Sequence, residues 1–302
     1  MRHAPFAAHT MDNDLTRLAN CAEALLGRLE NLLPAPPAPV DWQATLAARW
    51  QVLPGKRRAL VPIAHPQRLD LDDLQGIDRA KAALDRNTRQ FLAGAPANDA
   101  LLWGSRGTGK SSLVKALLTR HAAAGLRLIE VDKDHLIDLP DIAAATAGLP
   151  YRFVVFCDDL SFGSDEPAYK ALKVALDGSV SGGREHLLIY ATSNRRHLLP
   201  EYQEENALTR HVGEEIHFAE AVEEKIALSE RFGLWLAFHA FDQDRYLGIA
   251  QHWLAQLGCR APMEHWREEA LRWALSRGSR SGRSAYQFAR DYAGRLALEA
   301  AP

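Results

Sequence analysis

Mostly apolar runs alternate with amphipathic helical stretches through the middle of the chain. Such runs are typical of strands buried on both faces, and they occur at residues 100–103, 128–131, 153–157 and 187–191. The segments before and between these runs have apolar residues at helical spacing, at residues 78–92, 111–124, 139–147 and 167–176. Strands that alternate with helices form right-handed crossovers. The pattern therefore predicts an α/β fold, with a mostly parallel sheet in a three-layer arrangement.

Both ends of the chain have helical patterns. Apolar residues recur at spacings of three and four over residues 15–32, and the proline-rich stretch 33–39 stops that helix. Beyond Asp242, three helical stretches remain, at residues 244–257, 262–276 and 282–299. We therefore expect an N-terminal helical extension with a proline-rich linker (1–50), an α/β domain (51–241) and a helical C-terminal domain (242–302). The apolar stripe of the first helix is consistent with docking on its own domain or with association of two copies.

Composition is that of an ordinary folded protein. The 302 residues are 47% hydrophobic and 25% charged, and 36 basic against 38 acidic side chains give a net charge of −2. No overall field therefore attracts DNA or an anionic membrane. Three scattered cysteines suit a reducing compartment, and the apolar segment 232–241 is too short to span a membrane. We expect a cytoplasmic protein with no membrane partner.

A glycine-rich loop joins the predicted strand at residues 100–103 to the helix that follows it. Residues 104–111 match the pattern G-x-x-x-x-G-K-[ST]. Glycines allow backbone N–H groups to surround a β-phosphate, the lysine reaches the β- and γ-phosphates, and the serine hydroxyl binds Mg²⁺. A chance glycine-rich turn is the alternative, but a strand and a helix on either side favour a phosphate loop. The residues expected to bind ATP here are Gly104, Ser105, Arg106, Gly107, Thr108, Gly109, Lys110, Ser111 and Ser112.

Two acids end the third strand. The apolar run 153–157 leads into Asp158 and Asp159, which is a Walker B pattern. We expect Asp158 to hold Mg²⁺ together with Ser111, and Asp159 to orient or deprotonate the attacking water. A strand that simply ends in a polar turn would give the same two acids.

A polar amide follows the fourth strand. The run 187–191 continues into Thr192, Ser193 and Asn194. Because the carboxyl ends of parallel strands meet at one edge of a sheet, Asn194 is expected near the γ-phosphate and the attacking water. An asparagine at a strand end is by itself more often a turn former, so this interpretation depends on the other two motifs.

These segments together resemble the AAA+ ATPases, in which a sensor asparagine lies beside the Walker A and Walker B strands and a helical lid follows the sheet domain. More narrowly, the sequence is similar to a bacterial family of predicted AAA+ ATPases, domain of unknown function 815. The resemblance extends from about residue 70 to the C-terminus. It rests on the sequence segments at residues 76–78, 102–110, 156–162, 190–198 and 229–234.

The resemblance implies further site residues. Residues 74–78 are similar to the segment that lines the adenine pocket in AAA+ proteins. The resemblance therefore implies that Ile77 contacts the adenine base of ATP. Ser-Glu-Arg-Phe at 229–232 is similar to the S-R-F box of bacterial replication initiators, so Arg231 is the expected arginine finger, acting in a neighbouring subunit's ATP site. Arg283 opens the last helix as the sensor 2 arginine does, with Arg280 as its rival. On spacing alone, each arginine is equally consistent with a surface residue at a helix end.

The function expected from these residues is hydrolysis of ATP with Mg²⁺ in a homo-oligomer, which drives conformational change or remodelling of a macromolecular partner. Asp159 stands where most AAA+ proteins have glutamate, and its shorter side chain predicts slow hydrolysis. One alternative is an ATP-dependent scaffold with little turnover. Another is a helicase-loader-like ATPase that binds single-stranded DNA. Whether the client is a protein or a nucleic acid is left open by the sequence.

Overall fold

The computed structural model describes Leu18 and residues 20–22, 38–162, 167–176, 185–195 and 230–299. Its seven strands form one sheet. They are β1 (Ala47–Leu53), β2 (Arg57–Pro62), β3 (Ala100–Gly104), β4 (Leu126–Glu130), β5 (Arg152–Cys157), β6 (Leu187–Ser193) and β7 (Leu234–Phe238). The spatial order is β2-β1-β4-β5-β6-β3-β7. Neighbouring strands run parallel except β1 and β2, which are antiparallel.

The central strands are buried on both faces, as their apolar runs predict. Every residue of β6 is buried, and so are residues 153–157 of β5. Alternate side chains of β5 enter different cores: Phe156 joins the cluster on one face and Phe153 joins the cluster on the other. The sheet therefore separates two hydrophobic cores, each of which needs its own layer of helices.

Four helices cover the two faces. They are α1 (Asp78–Leu92), α2 (Lys110–His121), α3 (Leu139–Thr146) and α4 (Pro167–Leu176). Buried residues of α1 and α2, such as Leu84 and Leu117, belong to the Phe156 core. Buried residues of α3 and α4, such as Ile142 and Leu172, belong to the Phe153 core. The expected three-layer α/β fold with a mostly parallel sheet is confirmed.

The sequence patterns did not predict the β1–β2 hairpin at the sheet edge. Its turn contains Gly55 and Lys56, both with positive φ. Trp50 Nε1 of β1 donates a 2.9 Å hydrogen bond to the buried Asp138, and Arg58 of β2 lies 2.8 Å from the same carboxylate. These contacts join the hairpin to the segment that leads into α3, and the boundary expected at residue 50 falls inside β1.

Three helices follow the sheet, as the sequence predicts. They are α5 (Gln243–Gln256), α6 (Met263–Ser276) and α7 (Gly282–Glu299). Their buried aromatic residues Tyr246, Trp266 and Phe288 belong to the same core as α1 and α2, so this lid packs on one face of the sheet domain. Among the described helices, none combines the length and apolarity needed to cross a bilayer. Most of the expected N-terminal helix lies outside the described residues; Leu18 and residues 20–22 are helical.

Candidate nucleotide site

The glycine-rich loop runs from the end of β3 into the start of α2. Gly104 has φ 130°, and a Cβ there would lie 2.0 Å from the carbonyl oxygen of Phe238, so only glycine fits beside β7. Thr108 Oγ1 donates a 2.7 Å hydrogen bond to the Ser105 carbonyl and closes the loop on itself. A loop of this shape at a helix N-terminus directs backbone N–H groups towards a bound anion.

Lys110 lies at the centre of the site. Its ammonium donates hydrogen bonds of 2.8 Å to the carbonyl oxygens of Gly104 and Ser105, and one of 3.1 Å to Asn194 Oδ1. Only 7% of the residue's surface is exposed. The lysine predicted at the first motif and the asparagine predicted at the fourth strand are therefore in direct contact.

Burial sets the electrostatics of Lys110. Desolvation lowers the pKa of this ammonium below its ordinary value, whereas the negative charges of Asp158 and Asp159 act in the opposite direction. The positive charges of Arg106 and Arg283 lower the pKa further. A bound polyphosphate would place negative charge beside this cation, so the site is suited to an anionic ligand.

Asp158 receives hydrogen bonds from two hydroxyl groups. Ser111 Oγ donates to Asp158 Oδ1 at 2.6 Å, and Thr192 Oγ1 donates to the same oxygen at 2.5 Å. Hydroxyl and carboxylate oxygens are ligands that Mg²⁺ accepts, and Mg²⁺ is usually held by one or two carboxylates plus substrate phosphates. Within the described ranges there is no cluster of three or more His, Cys, Asp or Glu that would form an all-protein metal cage. Ser111 and Asp158 therefore fit a Mg²⁺ ion that a nucleotide brings with it.

Asp159 adopts an unusual backbone conformation. Its φ is 52°, in the left-handed region that asparagine and aspartate tolerate better than other non-glycine residues. The Asp159 N–H donates to Thr192 Oγ1 at 2.9 Å, and its carboxylate accepts a short hydrogen bond from Asn194 Nδ2. Asn194 thus contacts Lys110 through its amide oxygen and Asp159 through its amide nitrogen.

Ile77 contacts the phosphate loop from the other side. A Cβ added to Gly109 would lie 3.5 Å from Ile77 Cδ1. Ile77 is buried and precedes the first residue of α1. The segment assigned to the base by resemblance therefore lies against the end of the phosphate loop.

The start of α7, in the lid, contacts the phosphate loop. The Arg283 N–H donates to the Gly107 carbonyl at 3.2 Å, and a Cβ on Gly107 would lie 2.8 Å from Ser281 Oγ. The buried Ser281 also caps α7, because its Oγ accepts a hydrogen bond from the Ser284 N–H at 3.1 Å. These contacts favour Arg283 over Arg280 as the arginine beside the site.

Arg231 is not part of its own chain's site. It precedes β7, and the β3–β7 pairing places Leu234 opposite Ala100 and Phe238 opposite Gly104. The phosphate loop begins at Gly104, beside Phe238, so the start of β7, which Arg231 precedes, lies about 13 Å away along the strand. No arginine side chain spans that distance.

Sequence reasoning missed Thr192 and Ser281. Thr192 lies on β6, two positions before Asn194, which directly follows the end of that strand, and its hydroxyl meets the same site. Ser281 is the residue immediately before α7, where a serine commonly caps a helix. That the capping serine also touches Gly107 depends on how the lid packs.

The sheet order, the phosphate loop and the helical lid are those of the AAA+ P-loop proteins. Thermotoga maritima RuvB, a Holliday junction branch migration motor, shares this fold with a TM-score of 0.53 and 16% identity; the match covers 77% of this chain and 66% of that one. The chain thus spans just under two thirds of the RuvB chain. Aeropyrum pernix ORC1 in complex with DNA matches with a TM-score of 0.48 and 14% identity over 77% of this chain and 65% of that one.

The chain belongs to the family described as "Protein of unknown function (DUF815)", whose model matches residues 43–296. The resemblance to this family is confirmed, and so is the AAA+ fold that it implies. No curated protein matches the sequence.

Proposed function

We propose that this protein hydrolyses ATP to ADP and phosphate with Mg²⁺. One observation carries the proposal: Lys110, Asn194 and Asp159 form a continuous hydrogen-bonded chain across the ends of three strands, β3, β6 and β5. In a chain folded for nucleotide binding, this arrangement supports a site in which a cation, an orienting amide and a carboxylate would surround a γ-phosphate.

Each residue has a distinct role in this proposal. The backbone N–H groups of residues 104–112 bind the phosphates, and Lys110 stabilises charge on the β- and γ-oxygens. Asp159 accepts a proton from, or orients, the attacking water, and Asn194 fixes the carboxylate by its hydrogen bond. Ser111 and Asp158 would hold Mg²⁺, which neutralises phosphate charge.

The proposed function includes assembly and movement. Arg231 is remote from its own phosphate loop, which supports a role in the site of a neighbouring copy in a homo-oligomer. Arg283 reaches the site from the lid and would bind the γ-phosphate, so ATP and ADP hold the lid differently. Lid movement would then act on a macromolecular client, protein or nucleic acid.

Steady-state phosphate release with an Asp159→Asn variant tests the enzyme assignment. Asparagine tolerates positive φ, so the variant should fold, while loss of the carboxylate should lower the rate about 100-fold or more. Asp141→Asn, an exposed change on α3, is the matched control and should keep the wild-type rate. An Asp159→Asn rate equal to the wild-type rate would refute the assignment of Asp159.

A scaffold that binds ATP with little turnover is the second candidate. It is favoured by the short side chain of aspartate, whose carboxylate accepts a hydrogen bond from Asn194 Nδ2 and reaches less far towards a water than glutamate would. In that case wild-type protein binds ATP, and its phosphate release is no faster than that of Asp159→Asn.

A further inference from the structure

Phe241 connects three segments that meet around the phosphate loop. It lies between the end of β7 and Asp242, the residue that caps α5, at the point where the chain leaves the sheet domain for the lid. The residue is 6% exposed and belongs to the core that the sheet domain and the lid share. A side chain in this position contacts both domains.

Two glycines allow the ring to approach closely. A Cβ on Gly76 would lie 3.2 Å from Phe241 Cε1, which is tighter than ordinary contact, and Gly76 has φ 78°. A Cβ on Gly282 would lie 3.7 Å from Cε2, on the other edge of the same ring. The ring therefore separates the segment next to Ile77 from the first residue of α7.

The same side of Gly282 also meets the phosphate loop. A Cβ there would lie 3.3 Å from the Gly107 carbonyl oxygen, which is the acceptor for the Arg283 N–H. The Phe241 ring and the loop therefore lie side by side and together contact the start of α7. A displacement of Gly282 would also move Arg283, because the two residues are adjacent in the chain.

We propose that Phe241 is a positioning residue that, together with the phosphate loop, fixes the position of the start of α7, so that Arg283 can bind the γ-phosphate of ATP. This inference rests on the proposed function of the site. It predicts that Phe241 affects ATP binding through Arg283 and has little effect on ADP, which lacks the γ-phosphate.

Phe241→Leu tests this role directly. Leucine remains apolar but lacks both Cε atoms, the atoms nearest Gly76 and Gly282. The dissociation constants for ATP and for ADP are measured by calorimetric titration for wild type, Phe241→Leu, Arg283→Ala and the double variant. Phe288→Leu is the matched control, since it makes the same change at a fully buried position of α7 that packs on lid aromatic residues.

We expect Arg283→Ala to lower the preference for ATP over ADP about tenfold, as for the loss of a charged hydrogen bond. Phe241→Leu should lower the preference by a similar factor, and the double variant should be no worse than Arg283→Ala, because coupled residues are not additive. Phe288→Leu should keep the wild-type preference. If Phe241→Leu does not fold by circular dichroism, Phe241→Met, which also removes the ring, serves instead and should show the same loss.

The outcomes separate this inference from the proposed function. Wild-type protein that binds neither nucleotide overturns both. An unchanged preference in Arg283→Ala overturns the role of that arginine and the inference with it. If Arg283→Ala loses the preference but Phe241→Leu keeps it, or if the two losses add in the double variant, only the role of Phe241 is overturned.

Discussion

Thr192 donates a 2.5 Å hydrogen bond to the Asp158 carboxylate, and its hydroxyl oxygen accepts the N–H of Asp159. One side chain on β6 therefore orients both acids that end β5. The two strands are neighbours in the sheet, so this arrangement follows from strand order.

Thr192→Val should lower the affinity of the site for Mg²⁺. Valine has nearly the shape of threonine but cannot donate to Asp158 or accept from Asp159, and loss of such outer contacts typically lowers metal affinity about 10- to 100-fold. The measurement is the Mg²⁺ concentration that gives half-maximal phosphate release, which should rise. Thr146→Val, at a buried threonine that donates to the Ile142 carbonyl in α3, is the control and should leave it unchanged. An unchanged Mg²⁺ requirement in Thr192→Val would show that the threonine does not position Asp158.

Mixing two inactive variants should restore activity if Arg231 acts between subunits. Lys110→Ala lacks the phosphate-binding cation, and Arg231→Ala lacks the finger. In a randomly mixed ring, about a quarter of the sites combine an intact Lys110 with a neighbour's Arg231. Phosphate release by the mixture should therefore exceed that of either variant alone.

The control for this experiment replaces Arg231→Ala by the double variant Lys110→Ala/Arg231→Ala. That mixture contains no intact Lys110, so it should stay inactive. If the first mixture is as inactive as the control, the proposal that sites are shared between subunits is wrong.

ATP affinity should fall at alkaline pH. Burial lowers the pKa of the Lys110 ammonium from its ordinary 10.5, so the free protein loses this proton at a lower pH than an exposed lysine would. Bound phosphates favour the charged form, hence affinity should be constant below the lowered pKa and decrease as pH rises through it. Titrations between about pH 7 and pH 10 should show this decrease in wild type and in Lys115→Met, a change elsewhere on α2. A decrease of the same size in Lys110→Met would assign the effect to another group.

Much of the sheet domain follows from sequence because its strands are buried on both faces. Runs such as residues 153–157 cannot be exposed, and the helices between them begin and end at recognisable residues. The α1 and α7 bounds agree with the predicted ranges 78–92 and 282–299. The meeting of Lys110, Asp159 and Asn194 also follows, since parallel strands bring their carboxyl ends to one edge.

The edge strands are less evident in the sequence. β1 and β2 contain three arginines and lie at the margin of the sheet, so their apolar pattern is interrupted; the Pro54-Gly55 turn between them is the available signal. β7 is a run of five residues, and a run that short does not distinguish strand from helix. Contacts between distant segments, such as Ser281 with Gly107, depend on how the lid packs and have no local signal.

The central claim is that a nucleotide binds at the phosphate loop around Lys110. Its most direct test is calorimetric titration of ATP, with Mg²⁺ present, into wild-type protein and into Lys110→Ala. We predict saturable binding of one ATP per wild-type chain and a loss of affinity of about 10- to 100-fold in Lys110→Ala, as expected when charged hydrogen bonds to phosphate are removed. No binding by the wild-type protein, or equal affinities for the two proteins, would contradict the claim.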